Sequence, residues 1–170
     1  TQFKTAADKD YCTVPEGIAH FLEHKLFENE DCDVFDLYAK TGANANAFTS
    51  FDKTCYFFSC SDNFKASLEI LLSFVQSPYF TPESVAKEQG IIGQEIRMCD
   101  DDPGWRVFFN MLCGLYQKHP VRIDIAGTIE SIAEITDGLN KGLLDFGILV
   151  APVDMQKYDY IKLPKNDVFG

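Results

Sequence analysis

The segment from Ile18 to Leu26 constrains this chain more than any other, because it combines an apolar helical repeat with two histidines and a glutamate. Ile18, Leu22 and Leu26 recur every four residues, which predicts an α-helix with one apolar face. His20 and His24 are also four residues apart, so a helix carries both imidazoles on one face, one turn from each other. The fold must therefore provide a partner for two neighbouring imidazoles.

Two imidazole nitrogens at this spacing suit one zinc ion. Glu23 lies three residues after His20 and next to His24, so it borders the same face without being needed as a ligand. A carboxylate there can take a proton from a zinc-bound water, whose pKa the metal lowers to about 7. The sequence therefore predicts metal-assisted hydrolysis, with that water as nucleophile and Glu23 as general base.

Two other interpretations of the histidine pair remain open at this point. Both histidines could be solvated, or buried with ordinary hydrogen-bond partners. Two histidines and one carboxylate also form the facial triad of iron oxygenases. Glu23 favours hydrolysis, since an oxygenase needs no general base at that position.

A catalytic zinc ion typically has three protein ligands, so a third is expected elsewhere in the chain. The third histidine, His119, lies in a Lys-His-Pro turn, which is a poor place for a rigid ligand. A carboxylate is the better candidate. Glu88 and Glu95 are seven residues apart on a helix predicted over 82–98, which places them on one face, two turns apart.

The face that carries these two glutamates is predicted to point inward. Ile91 and Ile92 lie on or near it. An unpaired carboxylate is costly to bury, and a metal ion is one means of compensation. For Glu88 an ion pair with Lys87 or Lys25 is an equal alternative.

The remaining pattern predicts an α+β domain with helices packed on an antiparallel sheet. Small and polar residues followed by aromatic ones around a turn predict a hairpin. The predicted elements are a helix from about Pro15, a helix over 34–39 closed by Gly42, strands over 43–50 and 54–60, a helix capped by Ser61 or Asp62 with the apolar stripe Phe64, Leu68, Leu71, Leu72 and Val75, and helices over 82–98, 105–116 and 128–135.

The net charge of −11 disfavours nucleic acid and anionic membrane surfaces as partners. Solubility is the simpler explanation of this charge, and a cleft that prefers cationic peptides is the alternative. No apolar run approaches the roughly 18 residues of a membrane span, and no secretory signal is visible. Because no cysteine pair has the spacing of a structural zinc site, we expect six reduced thiols in a cytoplasmic protein.

The H-x-x-E-H order is the inverzincin signature. The surrounding stretches PEGIAHFLEHKLFE, GANANAFTSFDKTCYFF and EQGIIGQEIRMCDDDP resemble the pitrilysin (insulysin) metallopeptidases, especially bacterial members related to the mitochondrial processing peptidases. The resemblance covers about residues 1–136. It implies a truncated form of the metallohydrolase fold of that family and zinc-dependent endopeptidase activity.

Carried over residue by residue, the resemblance implies one role for each side chain of the motif. His20 and His24 match the zinc histidines, and Glu23 matches the general base. Glu95 matches the third zinc ligand, and Glu88 matches a glutamate that supports the ligands from behind.

The resemblance also implies a substrate strand and a partner. The stretch 44–50 looks like the edge strand of the family, to which an extended or unfolded peptide would add through backbone hydrogen bonds. Asn46, Ala47 and Phe48 are the expected contacts. Family members pair this catalytic half with a second, homologous half or subunit that closes a chamber. The competing hypothesis is therefore a non-catalytic or inactive partner subunit, although such subunits have little reason to keep a complete metal set.

The tail from about residue 137 to 170 departs from that family. Its wording, including GLLDFG and KYDY, resembles part of the effector-binding domain of LysR-type regulators, with strands expected over 146–150 and 158–163. We expect a catalytic domain over 1–136 followed by a foreign tail. A truncated or chimeric gene product is favoured over a true fusion. A regulator fragment that binds a small molecule is a third hypothesis, resting on the tail alone.

Overall fold

The computed structural model describes residues 2–3, 9–10 and 12–140. The described residues form an α+β fold of antiparallel hairpins and packed helices, which confirms the predicted fold class. In chain order the elements are β1 (Gln2–Phe3), β2 (Cys12–Thr13), α1 (Ile18–Leu26), α2 (Val34–Thr41), β3 (Asn44–Thr49), β4 (Thr54–Ser59), α3 (Phe64–Gln76), α4 (Pro82–Asp101), α5 (Pro103–Leu115), a 3₁₀ turn (Pro120–Arg122) and α6 (Ile129–Asn140).

The predicted hairpin is present as β3 and β4. The two strands pair antiparallel in a register that runs from Asn44 opposite Ser59 to Thr49 opposite Thr54. The turn between them is closed by the Ser50 amide, which donates to the carbonyl oxygen of Lys53 at 2.8 Å. Within the described part of the chain, β3 pairs with β4 and with no other strand.

Helix α1 is shared by two apolar clusters. Its Phe21 is fully buried in a cluster built mainly by α4 and α6, whose other members are Val85, Ile92, Ile96, Ala126, Ile132 and Ile135. Its Leu26 belongs to a second cluster with Val34, Tyr38, Ala43 and Phe74. Burial of a large apolar side chain stabilises the fold by about 1.5–3 kcal/mol. The helix that carries the histidines is therefore fixed from both sides.

The N-terminal end of α1 makes an unusually close backbone contact. Gly17 has φ 81° and Gly127 has φ 77°, a left-handed conformation that glycine adopts most readily. A Cβ atom on Gly17 would overlap with the carbonyl oxygen of Ala126, and one on Gly127 would lie 2.6 Å from the carbonyl oxygen of Glu16. The predicted start near Pro15 is wrong, because left-handed Gly17 precedes the helix and α1 begins at Ile18.

Helix α4 begins as predicted and ends later. Thr81 and Ser84 form a capping box around Pro82, which fixes the start. The helix runs to Asp101 rather than to residue 98. Asp102 then caps α5, because its Oδ1 accepts from the backbone amide of Gly104 at 2.7 Å. This cap allows α5 to begin at Pro103 instead of at residue 105.

The predicted apolar stripe of α3 is partly wrong. Phe64 and Leu72 are 52% and 47% exposed, whereas Ser67 and Phe74 are buried. The reason is the contact with α2, where the hydroxyl of Tyr38 donates to the carbonyl oxygen of Ser67 at 3.3 Å. A small residue at position 67 leaves room for the tyrosine ring, so the buried face is rotated from the one that the apolar residues suggest.

Three further predictions concern the cysteines, membrane-spanning helices and the tail of the chain. The cysteines with described side chains, Cys32, Cys55, Cys60, Cys99 and Cys113, are free thiols. None of the described helices is both long and apolar enough to span a membrane. The strands expected over 146–150 and 158–163 lie outside the described residues, and the domain division near residue 136 stays a prediction.

Candidate metal centre

Helices α1 and α4 pack against each other and bring the predicted ligands together. The Nε2 atom of His20 lies 3.6 Å from Oε1 of Glu95. The Nε2 atom of His24 lies 3.5 Å from Oε2 of the same carboxylate. The two rings meet edge to face, with centroids 4.6 Å apart. Among the described residues, this is the one cluster of at least three such side chains whose ligand atoms all lie within 4.8 Å of one another.

The donor set of this cluster fits a zinc ion. The distances of 3.5 and 3.6 Å are too long for good N–H···O hydrogen bonds. In a tetrahedral site with metal–ligand distances of about 2.0–2.1 Å, two ligand atoms lie about 3.4 Å apart. The separation between each Nε2 atom and the Glu95 carboxylate thus matches the spacing of ligands around a shared ion. Two imidazoles and one carboxylate are also a ligand set that catalytic zinc uses.

Glu88 fixes the orientation of one of the two rings. The Nδ1–H group of His24 donates to Oε1 of Glu88 at 2.8 Å, and Glu88 itself is buried. The hydrogen bond to this carboxylate holds the pKa of His24 above its usual value, against the effect of burial. Because Nδ1 carries the proton, Nε2 is the atom available for a metal. Glu88 therefore lies where its proposed supporting role requires.

The alternative partners of Glu88 are engaged elsewhere. Lys25 is fully buried, and its Nζ lies 2.5 Å from Oε2 of Glu28. Lys87 reaches Oε1 of the same Glu28 at 3.8 Å.

The predicted inward face of α4 needs a correction, because Ile91 is 43% exposed while Ile92 is fully buried. The buried face of α4 therefore includes position 92 but not position 91, and it is narrower than the sequence suggests.

His20 is held in a different way. It is 8% exposed, and its Nδ1 is the one buried side-chain nitrogen or oxygen without a hydrogen-bond partner in the described part of the chain. Burial lowers the pKa of His20, and the neighbouring His24 lowers it further. A neutral imidazole is the form that binds a metal. Packing alone, rather than a hydrogen bond, keeps this ring in place.

Glu23 lies beside the two rings and is held by the hairpin. The hydroxyl of Thr49 donates to Oε2 of Glu23, and the same hydroxyl lies 3.1 Å from Oγ1 of Thr54. The hydroxyl of Tyr56 donates to the carbonyl oxygen of Leu22 at 3.4 Å, which ties β4 to the same helix. A cavity of about 300 Å³ is lined by His20, Glu23, His24, Glu95 and neighbouring residues. Glu23 can thus reach a small molecule bound beside Glu95.

The predicted substrate strand is β3, and it borders the same cavity. Phe48 lines the cavity and is 45% exposed. The amide of Ala47 donates to Oδ1 of Asn46 at 2.8 Å. Since β3 pairs with β4 alone among the described strands, no described strand covers its other edge. The position of the three residues suits a peptide-binding edge, and their role stays a prediction.

Two side chains of this region, Thr49 and Asp124, were not predicted from the sequence. Thr49 holds Glu23, although it lies within the predicted strand and carries no distinguishing signal of its own. Asp124 accepts from Nε1 of Trp105 at 3.0 Å and from the amide of Ala126 at 2.9 Å, and it lines the metal cavity. No local pattern marks it, because its side-chain partner Trp105 lies 19 positions earlier on α5. His119 lies in a surface turn outside the cluster.

Comparison with known proteins identifies the family of the chain. The family model described as insulinase (peptidase family M16) matches residues 12–129. An uncharacterized zinc protease of Bacillus subtilis, YmfH, is 61% identical over 126 residues, which are 74% of this chain and 29% of that protein. An uncharacterized zinc protease of Rickettsia felis is 30% identical over 126 residues, 71% of this chain and 31% of its own length.

Solved structures resemble the fold as well. The crystal structure of an M16-like peptidase from Alicyclobacillus acidocaldarius superposes with a TM-score of 0.71 at 49% identity, over 75% of this chain and 30% of that one. A protease from Helicobacter pylori gives 0.63 at 28% identity, over 69% and 30%. The chain thus spans about 30% of the length of these relatives.

Proposed function

The chain belongs to the insulinase family of peptidases, and from this premise we propose that it hydrolyses peptide bonds in extended or unfolded peptides with the help of zinc. The observation that carries the proposal is the convergence of two imidazole Nε2 atoms on one carboxylate, with a second carboxylate behind. In the proposal His20, His24 and Glu95 hold the ion. A zinc ion held there would supply a Lewis acid and lower the pKa of a coordinated water to about 7.

The roles proposed for the residues of the chain depend on their positions. Glu23 accepts a proton in the cavity, and the hydroxyl of Thr49 keeps its carboxylate in place. After the peptide bond breaks, Glu23 returns the proton to the leaving amine. Glu88 keeps the Nε2 atom of His24 directed at the ion by accepting from Nδ1. Glu23 shares α1 with His20 and His24, and the hairpin and α4 hold their side chains from two different sides.

We also propose that β3 binds the substrate. An extended peptide that pairs with the open edge of β3 would run past Phe48 into the cavity with Glu23. Asn46 and Ala47 precede Phe48 on the same strand and are the other proposed contacts of the peptide. Extended segments can pair in this way, whereas folded proteins expose few free strands, which is the reason for the proposed preference.

A partner is part of the same proposal. Because the chain spans about 30% of the relatives that it matches, we propose that a second homologous half or subunit closes the chamber around the peptide. The competing hypothesis of an inactive partner subunit requires that the metal set is not used. The joint presence of the base, three ligands and the supporting glutamate argues against it.

The proposal is tested by Glu23→Gln in the full chain. We expect kcat for peptide cleavage to fall by about 10²- to 10⁴-fold, the usual contribution of an acid–base group. Zinc content, measured by mass spectrometry of the metal, should stay unchanged because Glu23 is not a ligand. Glu69→Gln, an exposed change of the same kind on α3, is the control. Full cleavage by the Glu23 variant would remove it as the base.

The counterpart is Glu95→Gln, which alters a proposed ligand. We expect zinc occupancy to fall, and cleavage with it, because an amide is a weaker ligand than a carboxylate. The far-ultraviolet circular dichroism spectrum should not change, since Glu95 is 43% exposed. Unchanged metal content would exclude Glu95 as the third ligand.

A further inference from the structure

A second cavity adjoins the proposed metal centre. This larger space, the lateral cleft, has a volume of about 750 Å³ and lies between the N-terminal end of α1, the turn after β3 and the segment 118–125. Thr49, Asp124 and Ile125 line both the lateral cleft and the cavity with the metal-binding residues. The two spaces therefore meet at the residue that holds Glu23.

The lateral cleft combines apolar walls with a cationic rim. Ile18 and Phe51 contribute apolar surface, while Lys118, His119 and Arg122 lie within five consecutive positions at its rim. The whole chain has 15 basic and 26 acidic residues, so a cluster of basic side chains beside the site is unexpected.

The donors of this rim are largely available. Neither Lys118 nor Arg122 forms an ion pair with another residue in the described part of the chain. Arg122 uses Nη1 to donate to the carbonyl oxygen of Gln117 at 2.9 Å, which leaves most of its five N–H groups for a ligand. The Nδ1 atom of His119 accepts from the amide of Val121 at 3.3 Å, so in the neutral ring Nε2 carries the proton and can donate.

The acidic residue of the cleft does not neutralise this rim by contact. Asp124 is the one acidic side chain among its lining residues, and both of its carboxylate oxygens are already hydrogen-bonded, to Ala126 and to Trp105. Lys118 and Arg122 carry two positive charges against this single negative one. A concave surface with a net positive charge attracts an anionic group even on a protein of opposite overall charge.

We propose that the lateral cleft binds a carboxylate of the peptide substrate. The inference rests on the proposed function, since it concerns the peptide that β3 would deliver to Glu23. A peptide that runs along β3 past Thr49 leaves the strand where the cleft begins. Arg122 and Lys118 would hold the carboxylate, and the apolar walls would cover the carbon atoms next to it. The carboxylate belongs either to an acidic side chain or to the C-terminus of the peptide.

Matched peptides distinguish these sources. In the first series, one extended sequence with an amidated C-terminus carries Glu, Gln or Lys at each of the three positions on either side of the cleaved bond. In the second series, the Gln peptides are prepared with a free C-terminal carboxylate and in decreasing lengths. The zinc-loaded full chain is assayed for kcat/KM. We expect Glu to exceed Gln by about tenfold or more at one position, and Lys to be poorest. The same advantage in the short free acids, instead of in the Glu peptides, assigns the carboxylate to the C-terminus.

Two double variants locate the preference. Lys118→Gln with Arg122→Gln should abolish the advantage of Glu over Gln in kcat/KM, because neither peptide then meets a positive charge in the cleft. Lys40→Gln with Lys65→Gln removes the same charge from exposed positions of α2 and α3 and should keep the advantage. An equal loss in both pairs would assign the preference to net charge and overturn the inference.

A binding measurement separates this inference from the proposed function. The Glu23→Gln variant is titrated with fluorescently labelled Glu, Gln and Lys peptides, and affinity is measured by anisotropy. Tighter binding of the carboxylate peptide that depends on Lys118 and Arg122 supports the cleft, whatever the cleavage assay shows. Equal affinity for all three peptides overturns it, even if the wild-type chain cleaves them.

Discussion

The two ends of α1 are held against the rest of the molecule by different means. At the N-terminal end, near His20, the backbones of Gly17 and Gly127 approach so closely that neither position has room for a Cβ atom. At the C-terminal end, near His24, the contacts are polar, with Glu88 on His24 and Glu28 on Lys25. The position of the N-terminal end thus depends on close backbone packing, and that of the C-terminal end depends on charged side chains.

The difference shows how the two proposed metal ligands of one short helix can differ in the substitutions that their surroundings tolerate. Close backbone contact fixes a position to a fraction of an ångström and admits no side chain. A hydrogen-bonded carboxylate instead fixes the orientation of a ring and tunes its basicity, and it can be replaced without a change of shape. Substitutions near Gly17 should therefore alter folding, whereas substitutions near His24 should alter metal binding.

The largest effect is expected from Gly17→Ala. A left-handed backbone costs a residue with a Cβ atom about 1–2 kcal/mol, and overpacking adds about 1–3 kcal/mol. We expect the free energy of unfolding to fall by about 2–5 kcal/mol, measured by urea denaturation with circular dichroism as the readout. Gly90→Ala is the control, because its Cβ atom would meet nothing within 4 Å. There the higher helix propensity of alanine should stabilise α4 by about 0.5–1 kcal/mol. Equal effects at both positions would contradict the steric account.

Glu88→Gln tests the polar end. The side chain keeps its shape and can still accept from His24, but the negative charge is lost. We expect zinc affinity to fall by about 10- to 100-fold, measured by competition with a chelator, with little change in unfolding free energy. Glu69→Gln, exposed on α3, should leave zinc affinity unchanged. Wild-type affinity in the Glu88 variant would mean that packing orients His24, as it does His20.

The smallest effect concerns Lys25, whose side chain is fully buried. Glu28→Gln removes the negative charge beside Lys25 but keeps an amide oxygen that can accept from it, so the loss should lie at the lower end of the about 1–3 kcal/mol that an unpartnered buried donor costs. Lys25→Met removes the charge and keeps a long apolar side chain, so the loss of stability should be smaller or absent. Thermal unfolding of the two variants in parallel gives the comparison. A larger loss for Lys25→Met would show that the ammonium group itself stabilises the helix end.

The spacing of residues along the helices predicted where the candidate site lies. It predicted fewer of the residues that hold the site in place. Positions 20 and 24 on one helix, and 88 and 95 on another, share their faces through helical geometry alone, and the structure brings these side chains together. Thr49 and Asp124 could not be found in this way. The contacts of Thr49 with Glu23 and of Asp124 with Trp105 span 26 and 19 positions, so they depend on how the hairpin and the segment after α5 dock.

The fold shows the same limit. The hairpin and the fold class are confirmed, because the change from small and polar residues to aromatic ones around a turn is a local signal. The buried face of α3 is wrong at Phe64 and Leu72, since the room that Ser67 leaves for Tyr38 decides the rotation of the helix. The start of α1 is wrong for a related reason, because the conformation of Gly17 is set by a loop more than a hundred residues later.

The residues of the candidate metal centre are synthesised at different times. His24 and Glu88 are separated by 64 positions, and the hairpin, α2 and α3 are made in between. At about 5–20 residues per second, the histidines leave the ribosome roughly 3–13 s before their carboxylate partners. Closing so long a loop has an entropic cost that the intervening elements must already have offset. An ion that needs both the histidines and Glu95 could therefore bind only after α4 has docked against α1.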